Sequence, residues 1–263
     1  MKAGLILLIG AVMVTGCYHP TEFFQPVPPS RPSGLYTETG DNFIELFWSE
    51  NHENDVVGYH VYWSGQYDGR YELLATTRQA YFLDAGAVNG RTYYYAVTAF
   101  NADGMESELS TDVAYDVPRP EGYGVLLSDF RRAASTAGYS FGSYQVVRYD
   151  DQNADMYFEY FNGTYYMNVW SDTDIQDLGA TSSLLDVRLA PATGWSPERS
   201  VPVVIGHTYV VWTWDDHYAK FRVTSVSPSR VVFDWAYQLQ KSNPMLKRPV
   251  KAKRTIVPSL AQQ

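Results

Sequence analysis

Two short patterns in the chain carry residue types that could do chemistry. Gly138-Tyr139-Ser140-Phe141-Gly142 has the spacing of a nucleophile elbow, in which a sharp strand-to-helix turn exposes a reactive serine. That turn needs a helix behind it, yet Tyr144 to Tyr149 are β-branched and aromatic, so the spacing carries no hydrolase. Asp151-x-Asn153-x-Asp155 has the oxygen spacing that opens a calcium loop. Met156 stands where that loop wants glycine and Asn162 where it wants glutamate, which leaves only a weak calcium site at Asp151, Asn153 and Asp155. Asp172, Asp174 and Asp177 form a second acidic group. The five histidines are scattered and one cysteine is present, so no zinc pattern exists. No glycine-rich phosphate loop precedes a helix, and no cofactor is expected. No constellation of acid, base and nucleophile emerges; the expectation is a protein that is not an enzyme.

The elements that must position these residues are strands. Ile44, Leu46 and Trp48 alternate with Glu45 and Phe47; Tyr59, Val61 and Trp63 alternate with His60 and Tyr62; Tyr93, Tyr95, Val97 and Ala99 repeat at period two. Turn signals separate them at Gly40-Asp41-Asn42, Asp68-Gly69, Asn89-Gly90 and Asp103-Gly104. Short strands at this spacing predict a two-sheet sandwich over 34–119. Pro118-Arg119-Pro120 marks a boundary. Beyond it, Asn162-Gly163 is a hairpin signal that pairs Phe161 with Thr164, Phe158 with Met167 and Met156 with Val169. The face holding Phe158 is apolar; the other carries Tyr157, Glu159, Tyr166 and Asn168. A meander follows through 208–214, 218–226 and 231–237, so 120–238 reads as a second all-β, sandwich-like domain.

Residues 34–119 resemble a fibronectin type III domain. The matching features are a proline-rich entry before Leu35, Trp48 in the second strand, Gly58-Tyr59-x-Val61, Asn89-Gly90-x-Thr92-Tyr93-x-Tyr95-x-Val97-x-Ala99-x-Asn101, and Gly104-x-Glu106-Ser107. The resemblance makes Trp48, Tyr59 and Tyr93 fold-defining, with the Tyr93 hydroxyl bonded to backbone near the preceding inter-sheet loop. The family's Arg-Gly-Asp integrin motif is absent. In the second domain, Tyr209-Val210-Val211-x-Thr213, Asp216 before Tyr218-Ala219-Lys220, and Val232-Phe233-x-x-Ala236-Tyr237-Gln238 loosely resemble HmuY-type haem-binding surface lipoproteins. The histidines that hold haem in that family have no match, and His207 and His217 read as surface residues.

The N-terminus supplies a location. Lys2 precedes an apolar run of about twelve residues, Ala3 to Val14, too short for the ~20 that span a bilayer, so residues 1–16 read as a signal peptide. Val14-Thr15-Gly16-Cys17 resembles a bacterial lipobox, which implies acylation (palmitate among the chains) at Cys17 and anchoring of the mature chain. By the same resemblance, Tyr18 lacks the aspartate that retains lipoproteins in the inner membrane of some bacteria, which favours the outer membrane, periplasmic or surface face open. Pro20, Pro26, Pro28, Pro29 and Pro32 make 17–33 a semi-rigid tether.

At the other end, 239–263 reads as a disordered basic tail. Its Lys247, Arg248, Lys251, Lys253 and Arg254 suit attraction to anionic envelope groups. A net charge of −9 argues against a nucleic-acid partner. Aromatics at 16%, with charged residues at only 19% against about 25% in ordinary domains, exclude a disordered or coiled-coil chain. The functional expectation is a lipid-anchored envelope protein acting as a non-catalytic binding or spacer module. Its partners would be the membrane, through the anchor, and a protein or envelope polysaccharide. The alternative is a surface lipoprotein that binds a small molecule or glycan on the aromatic-rich second domain.

Overall fold

A computed structural model describes residues 27–246; Cys17 and the bases from Lys247 to Arg254 lie outside the described residues. The period-two stretches become strands in two consecutive sandwiches. In the first, β1 (Ser33–Thr39), β2 (Ile44–Ser49), β3 (Val56–Ser64), β4 (Glu72–Thr77), β5 (Tyr81–Asp84), β6 (Tyr93–Asn101) and β7 (Ala114–Asp116) form sheets β1-β2-β5 and β4-β3-β6-β7. All pairings are antiparallel. Ile44, Leu46, Tyr59, Val61, Tyr95 and Val97 interdigitate between the sheets. Each large apolar side chain removed from water there contributes roughly 1.5–3 kcal/mol. Trp48 is buried edge-on against Tyr59, with centroids 5.4 Å apart. The Tyr93 hydroxyl accepts the Val88 N–H at 2.9 Å.

Alternation misreads one face. Tyr62 and Ala96 occupy the outward side of β3 and β6, yet both are buried, because Tyr71, Leu109 and Val113 fold over that side as a second small core. The residues before β1 also lie against the domain. Ser30 N–H donates to Glu53 at 2.8 Å, Asn51 Nδ2 donates to the Ser30 carbonyl at 2.8 Å, and Arg31 pairs with Glu108. Of the tether expected over 17–33, the described part from 27 onward is therefore bound along the first sandwich.

The boundary at 118–120 is a fastened joint. The Pro118 carbonyl accepts Gly90 N–H at 2.8 Å, Arg119 N–H donates to Gly40 at 3.1 Å, and the Pro120 carbonyl accepts Tyr237 N–H at 3.0 Å. The Arg119 side chain is only 1% exposed and meets Glu121 at 3.3 Å, with buried Asp116 also attracting it. Gln240 adds bonds from its amide to the Gly90 carbonyl at 3.0 Å and to Thr92 Oγ1 at 3.2 Å.

The second sandwich comprises β8 (Glu121–Ser128), β9 (Gly138–Ser140), β10 (Gln145–Val147), β11 (Met156–Phe161), β12 (Thr164–Val169), β13 (Asp174–Ala180), β14 (Ser200–Pro202), β15 (His207–Trp212), β16 (Tyr218–Ser227) and β17 (Arg230–Tyr237). Two five-stranded sheets, β10-β9-β11-β12-β14 and β13-β15-β16-β17-β8, enclose a core rich in aromatics: Tyr139, Phe141, Phe158, Tyr209, Phe221 and Phe233. The β11–β12 hairpin turns at Asn162 and Gly163, both at positive φ, and pairs Phe158 with Met167 and Met156 with Val169 as the sequence predicts.

The tail boundary at 239 needs correction. Residues 239–246 pack onto the outer face of the β15–β16 region, where Leu246 is buried with Val187, Ala190 and Val210. Leu246 N–H donates to Arg188 at 2.9 Å, and Gln238 Nε2 donates to the Met245 carbonyl at 2.7 Å. Basic composition hid this segment, because its one deeply buried side chain follows a run of polar and turn-forming residues. Among the described residues, no helix is long and apolar enough to cross a membrane.

Candidate functional site: an aromatic row on the second domain

The elbow pattern dissolves on folding. Gly138 to Ser140 is β9, an antiparallel strand, and Ser140 is buried. Gly138 is glycine because a Cβ would lie 2.8 Å from the Arg148 carbonyl and 3.0 Å from Tyr149 Cα. Phe141 is a core residue.

The three calcium-spaced residues do not turn their oxygens together. Asp151 Oδ1 accepts the Asn153 N–H at 2.8 Å, closing a local turn. Asp155 is buried, and its Oδ2 accepts the Phe141 N–H at 2.7 Å. No group of three or more His, Cys, Asp or Glu placed to hold a metal is present among the described residues. The second acidic group is likewise dispersed: Asp174 pairs with Arg199, and Asp177 lies 2.9 Å from His207 Nδ1. His207 and His217, expected at the surface, are each partly exposed and lie against a carboxylate, His217 Nδ1 being 3.1 Å from Asp215.

The fold instead gathers aromatics that the sequence reading assigned to no site. Tyr157 faces outward from β11, and Phe130, Tyr149 and Trp170 close around it. Ring centroids lie 5.4 Å apart for Phe130–Tyr157, 5.6 Å for Tyr149–Tyr157 and 5.3 Å for Tyr157–Trp170. Glu159 and Asn168 lie on the same sheet face, Asn168 Nδ2 donating to Glu159 at 3.2 Å, while Arg131 pairs with Glu159 and lies 4.5 Å over Phe161.

Beyond Trp170 stands Trp214, 58% exposed against 37% for Trp170. A depression of about 410 Å³ holds both, lined also by Asp150, Asp151, Gln152 and Asp172. Trp214 borders a second depression of about 330 Å³, lined by Ser140, Ser143, Asn153, Asp155, Asp215 and Tyr237.

Trp214 is held out by a tightly bonded turn rather than by a loose loop. Thr213 N–H donates to the His217 carbonyl at 2.9 Å, Asp216 N–H to the Thr213 carbonyl at 3.0 Å, and Trp212 Nε1 to the Asp216 carboxylate at 2.9 Å. Asp216 takes positive φ, which its short polar side chain tolerates.

The two carboxyls of the second depression differ in acidity. Burial pushes Asp155 up to about 7, with the neighbouring charges of Asp215 and Asp172 adding to the shift against the opposing Phe141 N–H. Burial pulls Asp215 the same way, but hydrogen bonds from Thr213 and His217 outweigh it and hold the group below the usual carboxylate range. The site thus offers exposed apolar ring faces, hydrogen-bond acceptors and negative charge, a set suited to recognition. A signal for it existed in the exposed turn Trp214-Asp215-Asp216. Nothing in the sequence shows that this turn and Trp170 share one depression.

No family model matches the chain. Among curated proteins it is similar to an amylopullulanase from Thermoanaerobacterium saccharolyticum, 36% identical over 89 residues, covering 33% of this chain and 7% of that protein. An amylopullulanase from Thermoanaerobacterium thermosulfurigenes is 35% identical over 89 residues, or 5% of its length. The chain therefore spans less than a tenth of these relatives. Among solved structures, an Fn3-like protein from Clostridium thermocellum is 29% identical, with a TM-score of 0.31, over 36% of this chain and all of that one. A beta-1,2-glucanase from Parabacteroides distasonis is 23% identical over 36% of this chain and 14% of that one, with a TM-score of 0.30. With a three-stranded sheet facing a four-stranded one and the Tyr93 hydroxyl bonded back to Val88, the first sandwich is a fibronectin type III-like domain in an all-β chain.

Proposed function

We propose that this chain is a lipid-anchored, non-catalytic envelope module. Acylation at Cys17 holds it at a bacterial outer membrane, the fibronectin type III-like domain serves as spacer, and the second sandwich meets the partner. The observation that supports a spacer role is the joint. Arg119 is buried between Asp116 and Glu121, and Gln240 bridges to Gly90 and Thr92, so the two sandwiches are fastened rather than strung on a loose linker. In this reading Lys247, Arg248, Lys251, Lys253 and Arg254 add attraction to anionic envelope groups. Mass spectrometry of the protein purified from membranes tests the anchor. The expected species begins at Cys17 and carries diacylglycerol and a further acyl chain; a species with a free Cys17 thiol removes the proposal.

A second reading, the ligand-binding surface lipoprotein, is favoured by one specific observation: Trp170 and Trp214 remain exposed around a shared depression. Haem is not part of it, because His207 and His217 already face Asp177 and Asp215.

A further inference from the structure

We infer that the exposed indoles of Trp170 and Trp214, with Tyr157 bracing Trp170 from behind, bind a neutral, hydroxyl-rich saccharide chain. The inference rests on reading the second sandwich as the binding part of the module.

Exposed indoles on a folded domain are costly to keep in water, and here two of them border one depression. Trp170 is braced as a ring, by Tyr157 at 5.3 Å and Tyr149 at 6.5 Å, while the bonded turn over 213–217 fixes the backbone that presents Trp214. A ligand that lays a flat, weakly polar face on Trp170 therefore meets a ring with little rotamer freedom left to lose, and Trp214 is presented from a fixed position beside it. The C–H faces of pyranose rings have that character, and their hydroxyls need acceptors at the ring margins. Asp150, Asp151 and Asp172 supply acceptors beside the Trp170–Trp214 depression; Asn153 and Asp215 supply them on the far side of Trp214.

Two further features define the ligand. Trp214 belongs to both depressions, so a chain crossing it touches more surface than a single sugar would. The surrounding carboxylates, on a chain of net charge −9, repel uronate-bearing or phosphorylated polymers.

Affinity gel electrophoresis of the full mature chain tests this, with pullulan, laminarin or mannan cast in the gel and polygalacturonate as the anionic probe. At least one neutral polymer is expected to retard the protein, and polygalacturonate is not. Trp214→Ala is expected to weaken retardation at least tenfold without lowering the melting temperature. Trp170→Ala, which also loses its contacts with Tyr157 and Tyr149, weakens retardation as much with some loss of stability but remains folded at the assay temperature. Leu73→Ala, at an exposed apolar position of the first domain, leaves retardation unchanged. Absence of retardation by every neutral polymer, equal retardation by polygalacturonate, or full binding by the tryptophan variants would overturn the inference. The mass of the Cys17 peptide reads the anchor separately, so failure of binding in an acylated protein removes the saccharide site alone.

Discussion

Tyr93 and Tyr209, in different domains, make the same bond. Each phenol oxygen accepts the backbone N–H five residues upstream, from Val88 at 2.9 Å and from Val204 at 2.8 Å. The surrounding letters repeat as well: Val88-x-Gly90-x-Thr92-Tyr93 and Val204-x-Gly206-x-Thr208-Tyr209, with both glycines at positive φ. In each copy the third residue after the valine donates its N–H back to the valine carbonyl at 3.2 Å. The second sandwich thus closes one of its inter-sheet corners with the device used by the first.

This equivalence predicts that Tyr93→Phe and Tyr209→Phe each destabilise by about 1–2 kcal/mol, since each strands a backbone donor. Tyr209→Phe should cost the more, because its hydroxyl also donates to the Pro202 carbonyl at 3.0 Å. The two losses should add in the double variant, as the residues lie in separate cores. Urea denaturation measures both.

Asp155 predicts a pH dependence. Folded, its carboxyl titrates near 7; unfolded, near the ordinary 3.8. Its contribution to stability is therefore whole below about pH 4 and is lost as pH rises through 7. Asp155→Asn keeps an oxygen acceptor for the Phe141 N–H and removes the ionisation. The variant should be more stable than the parent by about 1–3 kcal/mol at pH 8, with the gap closed at pH 4. Thermal melting across that range provides the check.

At the joint, Arg119→Ala leaves Glu121 and Asp116 buried without their cation. A loss of about 3–5 kcal/mol is expected. Small-angle scattering should show a broader distribution of domain orientations, whereas Gln240→Ala, which removes two bonds across the joint but no buried charge, should change it less.

The docked end of the chain predicts that Leu246→Ala costs about 2–4 kcal/mol, because the side chain fills a pocket formed with Val187, Ala190 and Val210. Calorimetry measures this. A loss below half a kilocalorie would show that 239–246 is not held as described.

In the hairpin, Gly163 sits at a φ of +82°, and Gly163→Ala is expected to cost about 1 kcal/mol. Denaturant titration of the variant measures it.

The strands and turns were legible in the letters because their causes are local. Ile44, Leu46 and Trp48 alternate because a strand turns every second side chain to the core, and Asn162-Gly163 turns because those residues tolerate positive φ. The repeat Val-x-Gly-x-Thr-Tyr is present in the letters around Tyr209 as well, but the sequence reading gave a corner role to Tyr93 alone; the bond from Val204 is what identifies the second copy.

What surrounds each element was decided by tertiary structure. Tyr62 is buried on a nominally outward face because a distant segment, with Leu109 and Val113, folds over it. Asp155 leaves its apparent calcium spacing to bind Phe141 N–H, since a strand entering the core takes that carboxyl inward. Trp170 and Trp214 follow different strands, β12 and β15, in different sheets, and only the stacking of those sheets sets the two indoles around one depression. Local periodicity sets which way a side chain points from its own strand. Which distant residue it then meets depends on chain closure over long separations, which no short window of sequence records.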